Sequence, residues 1–273
     1  MYEQIRYQVA DPVATITLSR PHALNAWTTR MGAEVKHAVA AAEADKSVVA
    51  IVLTGEGRGF CAGADMNDLQ DISGGSRGRE APAELAADPG DPAMGDDFRG
   101  TYTYFLSVRK PVIAAINGPI AGMAVPIALA CDLRFASDRA LFTLAFSQRG
   151  LIAEWGSAWL LPRLLGPAHA LDLLLSSRRV DAQEAERIGL VNRVLPHEEL
   201  LPFVREYVEA LAAKCSPASM MVMKRQVWQQ LTRPLGPSEK EAIALMIESF
   251  SRPDFAEGVA SFLQKRPPKF DRV

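Results

Sequence analysis

Twice in this chain a strand-length run of apolar residues passes directly into a segment almost free of bulky side chains. Val48-Val-Ala-Ile-Val-Leu53 runs into Gly55-Glu-Gly-Arg-Gly-Phe-Cys-Ala-Gly-Ala-Asp65, and the apolar residues 112–116 run into Asn117-Gly-Pro-Ile-Ala-Gly-Met-Ala-Val-Pro126. A continuous apolar run bounded by turn residues predicts a strand buried on both faces. Small residues after such a strand let the backbone approach a ligand, and amide groups near helix starts are good donors to developing negative charge. Two corners of this kind are what a pair of converging N–H donors requires. Proline is tolerated in a first helical turn, so the helix after the second corner is expected to begin just before Pro126.

The other patterns agree with an α/β fold. Val13-Ala-Thr-Ile-Thr-Leu18 reads as a strand, residues 31–39 carry apolar side chains at helical spacing, and residues 133–136 form a further strand candidate. Residues 71–100 are rich in Gly, Pro, Asp and Arg without periodicity, which predicts a mobile flap. From Leu200 onward only helical spacing remains, as in Leu200, Phe203, Val204, Tyr207, Val208 and Leu211, and later Ile243, Ile247 and Phe250. The chain is therefore divided into a core at 1–199 and a helical part at 200–273. Ser238 with Glu241 has the spacing of a capping box, and Asp181 with Glu184 makes a similar acidic helix start. Such a short helical segment cannot bury its own large apolar side chains, so it must pack on the core or on another copy, and a homo-oligomer is expected.

Composition removes several classes of function. The chain has 273 residues, is 48% hydrophobic and has a formal charge of −2, which supports a substantial core and gives no global field for nucleic acid. The first residues, Met1-Tyr2-Glu3-Gln4-Ile5-Arg6-Tyr7, lack a secretory pattern, and no apolar run is long enough for a membrane span. Cys61, Cys131 and Cys215 have no paired spacing, and His22, His37, His169 and His197 have no metal-ligand spacing or nucleophile elbow beside them. Reduced thiols in a cytoplasmic protein are expected, with no metal. The first glycine-rich corner fails as a dinucleotide fingerprint because Phe60 stands where the third glycine is needed.

The details of these corners are more specific. Ala23-Leu24-Asn25-Ala26, Phe60-Cys-Ala-Gly-Ala-Asp65, Asn117-Gly-Pro with Ala121-Gly122, Cys131-Asp132 and Gly189-Leu-Val-Asn-Arg-Val194 resemble, in order, the signatures of the crotonase (enoyl-CoA hydratase/isomerase) family. The likeness extends through Phe262-Leu-Gln-Lys-Arg266. It implies a core spiral of β-β-α units, a C-terminal helical trimerisation domain, and a homotrimer or a hexamer built as a dimer of trimers. It also implies an acyl-CoA thioester substrate, with coenzyme A as part of the substrate and no separate cofactor. By the same likeness the backbone amides of Ala64 and Met123 form an oxyanion hole. Ala23, Leu24, Ala62, Asp65, Met66, Phe146, Trp155 and Lys265 are implied to contact substrate or CoA.

This chain departs from the family's hydratases where they carry their two glutamates, since Pro126 and Phe146 occupy those places. Glu154 aligns instead with the position at which dienoyl-CoA isomerases and aromatic acyl-CoA dehalogenases carry an aspartate. As the sole acid/base, Glu154 fits isomerisation more easily than two-acid hydration. From the residues alone, Glu154 reads equally as a helix-start acid or as an ion-pair partner of Arg149 or Arg163. Asp65 reads as support for the loop, and Cys61 as a small buried thiol. The expected activity is that of an enoyl-CoA hydratase/isomerase-type enzyme. The other readings are a catalytically silent acyl-CoA binding protein and a one-acid hydrolase or dehalogenase.

Overall fold

The computed structural model describes residues 2–75 and 80–273. It opens with an antiparallel pair, β1 (Ile5–Ala10) and β2 (Val13–Leu18), and then turns parallel. Helix α1 (Thr29–Ala44) starts where the Thr28 hydroxyl accepts from the Met31 amide, and it leads to β3 (Ala50–Gly55). After the first corner come α2 (Met66–Ser73) and, further on, β4 (Val112–Ile116). The second corner contains β5 (Ile120–Ala121) and α3 (Ala124–Leu129), so the helix begins two residues before Pro126, as the sequence predicts. There follow β6 (Leu133–Ser137), β7 (Leu141–Thr143), α4 (Ser157–Ser176), β8 (Val180–Asp181), α5 (Ala182–Arg187) and β9 (Arg193–Leu195). Four helices end the chain: α6 (Leu200–Lys214), α7 (Pro217–Gln230), α8 (Leu235–Ser249) and α9 (Pro253–Leu263).

The main sheet has the order β1-β2-β3-β4-β6-β9 and is parallel from β2 onward, while β5, β7 and β8 form a smaller sheet beside it. Side chains on a strand alternate between faces, and both faces of β3 and β4 are covered. Ile51, Leu53, Val112, Ala114 and Ile116 face the larger core, which also takes in α1 and α3. Ala50, Val52, Ile113 and Ala115 face a second core closed by Leu200, Val204 and Val208 of α6. This is why the two strands read as unbroken apolar runs. It also shows that α6, which follows the expected division at residue 199, is the lid of the sheet's second face. The edge strand β1 escapes a search for apolar runs because most of its side chains are exposed or half-buried.

One expectation needs correction. Ser238 does not cap a helix: α8 already begins at Leu235, and the Ser238 hydroxyl donates back to the Pro234 carbonyl from inside the first turn. Glu241 pairs instead with Arg233. The stretch 71–100, read as a mobile flap, contains residues 76–79, which lie outside the described residues. Elsewhere in that stretch three short 3-10 turns bury Leu85, Met94 and Phe98. They are fastened by the Gly90 amide donating to Glu43 and by Gln229 donating to the carbonyls of Ala93 and Met94. The Asp181 cap forms as read, its carboxylate accepting from the Glu184 amide.

The two corners are laced to each other. The Cys61 and Phe60 amides donate to the Pro119 carbonyl, and the Ala121 amide donates to the Cys61 carbonyl. The Asn117 side chain accepts from the Gly55 amide and donates to the carbonyls of Gly57 and Gly59. Asn25 is fully buried with φ +56°, and its amide nitrogen donates to the carbonyls of Glu56, Gly59 and Phe60. Gly118 passes so close that a β-carbon there would stand 2.2 Å from the Arg58 carbonyl oxygen. Gly118→Ala is expected to lose at least about 2 kcal/mol in a urea titration, since a backbone oxygen cannot yield as a flexible side chain would. Asn25→Ala, which strands several buried carbonyls, is expected to lose about 2 kcal/mol in the same measurement.

Candidate active site

Both corners open into one cavity of about 300 Å³, lined by residues that include Ala23, Ala62, Gly63, Ala64, Met66, Gly122, Met123, Phe146, Arg149 and Glu154. Ala64 lies beside Trp27 in a short parallel bridge, in which the Trp27 amide donates to Gly63 O and the Asp65 amide to Trp27 O. Successive amides of an extended chain point opposite ways, so the Ala64 N–H is turned from this bridge. Met123 stands immediately before α3, where a helix leaves its leading amides without internal partners. Among the described residues, neither the Ala64 nor the Met123 N–H donates a hydrogen bond. Gly63, at φ +95°, cannot be replaced freely, because a β-carbon would lie 2.9 Å from the Ala121 carbonyl oxygen. The two small-residue segments thus approach backbone to backbone at the cavity.

Glu154 is the only carboxylate among the described residues lining this cavity. It precedes the first turn of the next helix, where a helix-start acid was one of the readings the sequence left open. Helix α4 begins at Ser157 after two residues of positive φ, Trp155 at +52° and Gly156 at +79°, and the Ser157 amide and hydroxyl both donate to the Glu154 carbonyl. Burial pushes the Glu154 carboxyl above its ordinary value, opposed by the neighbouring Trp155 side chain. Among the described residues it forms no ion pair. Arg163 lies over the Trp159 ring and donates to the Trp159 carbonyl instead, so one of its two proposed partners is otherwise engaged. Arg149 shares the cavity but makes no salt bridge among the described residues. Phe146, also in the wall, is buried, and Pro126 is buried inside α3.

Four of the residues singled out from sequence lie off this cavity's lining. Leu24 adopts φ +50° and offers its carbonyl to the Ala62 amide, so it shapes the corner. Asp65 faces a neighbouring cavity of about 290 Å³ and pairs with Arg20 at 2.9 Å. Burial raises its carboxyl, but hydrogen bonds from Arg20 and Asn67 and the Arg20 charge outweigh this and leave it below the usual range. Trp155 lines an adjoining cavity, and Lys265 stands just beyond the end of α9. Sequence reasoning named Arg149 only as a possible ion-pair partner of Glu154 and missed Ala145, at φ +60° in the wall, because nothing in the neighbouring spacing marks either as lining the cavity. Cys61 is fully buried with its thiol pushed up to about 12 by burial, which leaves it inert. Among the described residues no cluster of His, Cys, Asp and Glu could hold a metal ion, and no helix is long and apolar enough to cross a membrane.

The chain is similar to known proteins over nearly its whole length. The family model described as enoyl-CoA hydratase/isomerase matches residues 8–272. A Rhodobacter capsulatus protein named "Probable enoyl-CoA hydratase" is 34% identical, with 98% of this chain and 98% of the relative covered. The 1,2-epoxyphenylacetyl-CoA isomerase of Escherichia coli is 33% identical, with 99% of each chain covered. Among solved structures, the enoyl-CoA hydratase of Bacillus anthracis superposes with a TM-score of 0.85 at 25% identity, over 98% of this chain and 99% of that one. A Geobacillus kaustophilus enoyl-CoA hydratase subunit I gives 0.84 at 32% identity, over 99% and 98%. With the family model matched over residues 8–272 and relatives of 33–34% identity covering nearly the whole chain, the chain belongs to the enoyl-CoA hydratase/isomerase family.

Proposed function

We propose that the chain is an acyl-CoA isomerase that works through a thioester enolate with a single acid/base. The observation that carries this reading is that Ala64, Met123 and Glu154 line one cavity in which Glu154 is the only carboxylate among the described residues. The thioester oxygen accepts from the two unengaged amides of Ala64 and Met123, which stabilise negative charge as it develops there. The acidified C–H next to the carbonyl, or its vinylogous counterpart, gives its proton to the Glu154 carboxylate and its electron pair to the conjugated enolate. The enolate then takes the same proton back from Glu154 at the other carbon, and the double bond has moved with no net gain or loss of atoms. Coenzyme A arrives as part of the substrate, and the chemistry asks for no metal or redox cofactor. Addition of water by two acids has less support, because buried Pro126 and Phe146 offer no proton-transfer group.

Burial serves this role. A carboxyl raised above its ordinary value is a stronger base once ionised, and its raised value keeps the acid form available for the return step. The active form is the carboxylate, so activity is present at neutral pH and falls as pH drops through the raised value.

Glu154→Gln is expected to lower kcat for interconversion of 2-enoyl-, 3-enoyl- or dienoyl-CoA esters by roughly 10²–10⁴, followed by ultraviolet absorbance. The wild-type acid limb should lie above the ordinary glutamate value of about 4.3, and any residual activity of the variant should lack it. Because the amide removes a partly buried charge, the variant's melting temperature at pH 7 should not fall. Equal activity of the two proteins excludes the Glu154 role. Ester binding without turnover by wild type identifies a silent acyl-CoA binding protein, and release of free CoA or halide identifies hydrolysis or dehalogenation.

We also propose that α8 and α9 join further copies of the chain into a trimer or hexamer. Supporting this, Phe262 and Leu263 leave 83% and 74% of their surface exposed in the lining of an apolar groove of about 690 Å³. Light scattering is expected to give three or six times the chain mass, and Phe262→Asp is expected to shift the population toward monomer.

A further inference from the structure

A second, larger cavity begins one residue along the chain from Glu154. Glu154 lines the 300 Å³ cavity, while the next two residues, Trp155 and Gly156, line another of about 560 Å³ that also takes in Phe98, Tyr102 and Trp159. Only one peptide bond separates the carboxylate's residue from the wall of this larger space. Positive φ at both Trp155 and Gly156 makes the abrupt turn that lets consecutive residues serve different cavities. For a bulky residue that conformation is strained, and such strain persists where packing holds it. Here the Trp155 ring meets Tyr102 edge to face at 4.7 Å between centroids, and Tyr102 meets Trp27 in the same way at 5.8 Å. Phe98 and Trp159 form a third edge-to-face pair at 6.4 Å.

From this geometry we infer that the larger cavity receives the acyl part of the substrate, and that the preferred acyl group carries an aromatic or comparable ring. The inference rests on the acyl-thioester reading of the smaller cavity. Size and shape carry it. A cavity of roughly 150 Å³ holds a benzene molecule, so 560 Å³ is far more than a four-carbon acyl chain fills. Four aromatic side chains set edge to face present both ring faces and ring edges, the complement of another ring, and each such contact adds to simple burial. A rigid ring also loses less rotational freedom on entering than a long flexible chain of equal area. The reacting carbons lie between the ring and the thioester, beside Glu154.

The test measures kcat/KM for three CoA esters of unsaturated acids: four-carbon, straight eight-carbon and phenyl-substituted. Wild type and Thr101→Trp are compared, Thr101 being an exposed residue of the larger cavity's lining whose enlargement fills the space. The expected result is that wild type favours the phenyl ester over the four-carbon ester by at least tenfold, and over the straight eight-carbon ester as well. Thr101→Trp should then cut the phenyl-to-four-carbon ratio at least tenfold. Equal or better use of straight chains by wild type overturns the ring preference. A variant that lowers all three esters by the same factor overturns the assignment of this cavity to the acyl group. Both of those results leave the acyl-thioester reading standing, because esters are still turned over. Failure of every ester to bind, followed by quenching of tryptophan fluorescence, overturns both readings together.

Discussion

A backbone amide can stay unengaged only if something else holds the chain that carries it, and here that is the backbone lacing of the two corners. The Pro119 carbonyl takes the amides of Phe60 and Cys61, and the Cys61 carbonyl takes the amide of Ala121. These bonds fix the segment bearing Ala64 against the segment bearing Met123 without using either of those amides. Asn25 and Asn117 satisfy the carbonyls that the turns would otherwise leave bare in a buried place. Gly63 and Gly118 are required because β-carbons at those positions would strike the opposing backbone. The rest of the fold holds this junction in register: β3 and β4 pair in parallel, and each feeds one corner.

Chemistry then depends on what reaches the junction from elsewhere. The turn before α4 delivers Glu154, and its half-buried setting raises the carboxyl. Trp155 and Gly156 line a different cavity from the same turn, so one strained segment places both the Glu154 carboxylate and part of the neighbouring aromatic cavity. Asp65, one residue from Ala64, is held on the far side of the loop by Arg20, which also donates to the Ala26 carbonyl. Its charge is thus occupied in fixing the loop while the adjacent amide is left unengaged.

The sequence already contained much of this, for identifiable reasons. Strands buried on both faces must be apolar throughout, so β3 and β4 were visible, as was the helix start beside Pro126. Small residues in the corners were visible because close backbone approach admits little else. Glu154, Ala64 and Met123 were singled out through the likeness to the family, and they line one cavity. Missed were features whose cause lies far away in the chain. The half-exposed edge strand β1 has no apolar run, the cavity positions of Arg149 and Ala145 follow from a turn, and Ser238 was taken for a cap because its spacing to Glu241 says nothing about where α8 begins.

The sequence by itself determined the α/β class and the two small-residue corners, because these follow from residue type and local spacing. Only the tertiary structure decided which residues share a cavity. Asp65 and Ala64 are neighbours in sequence yet face different spaces, as do Glu154 and Trp155, while Ala64 and Met123 are distant in sequence and line the same one. The physical reason is that a side chain's direction is set by backbone dihedrals and by hydrogen bonds to remote segments, and neither is written in the local order of residues.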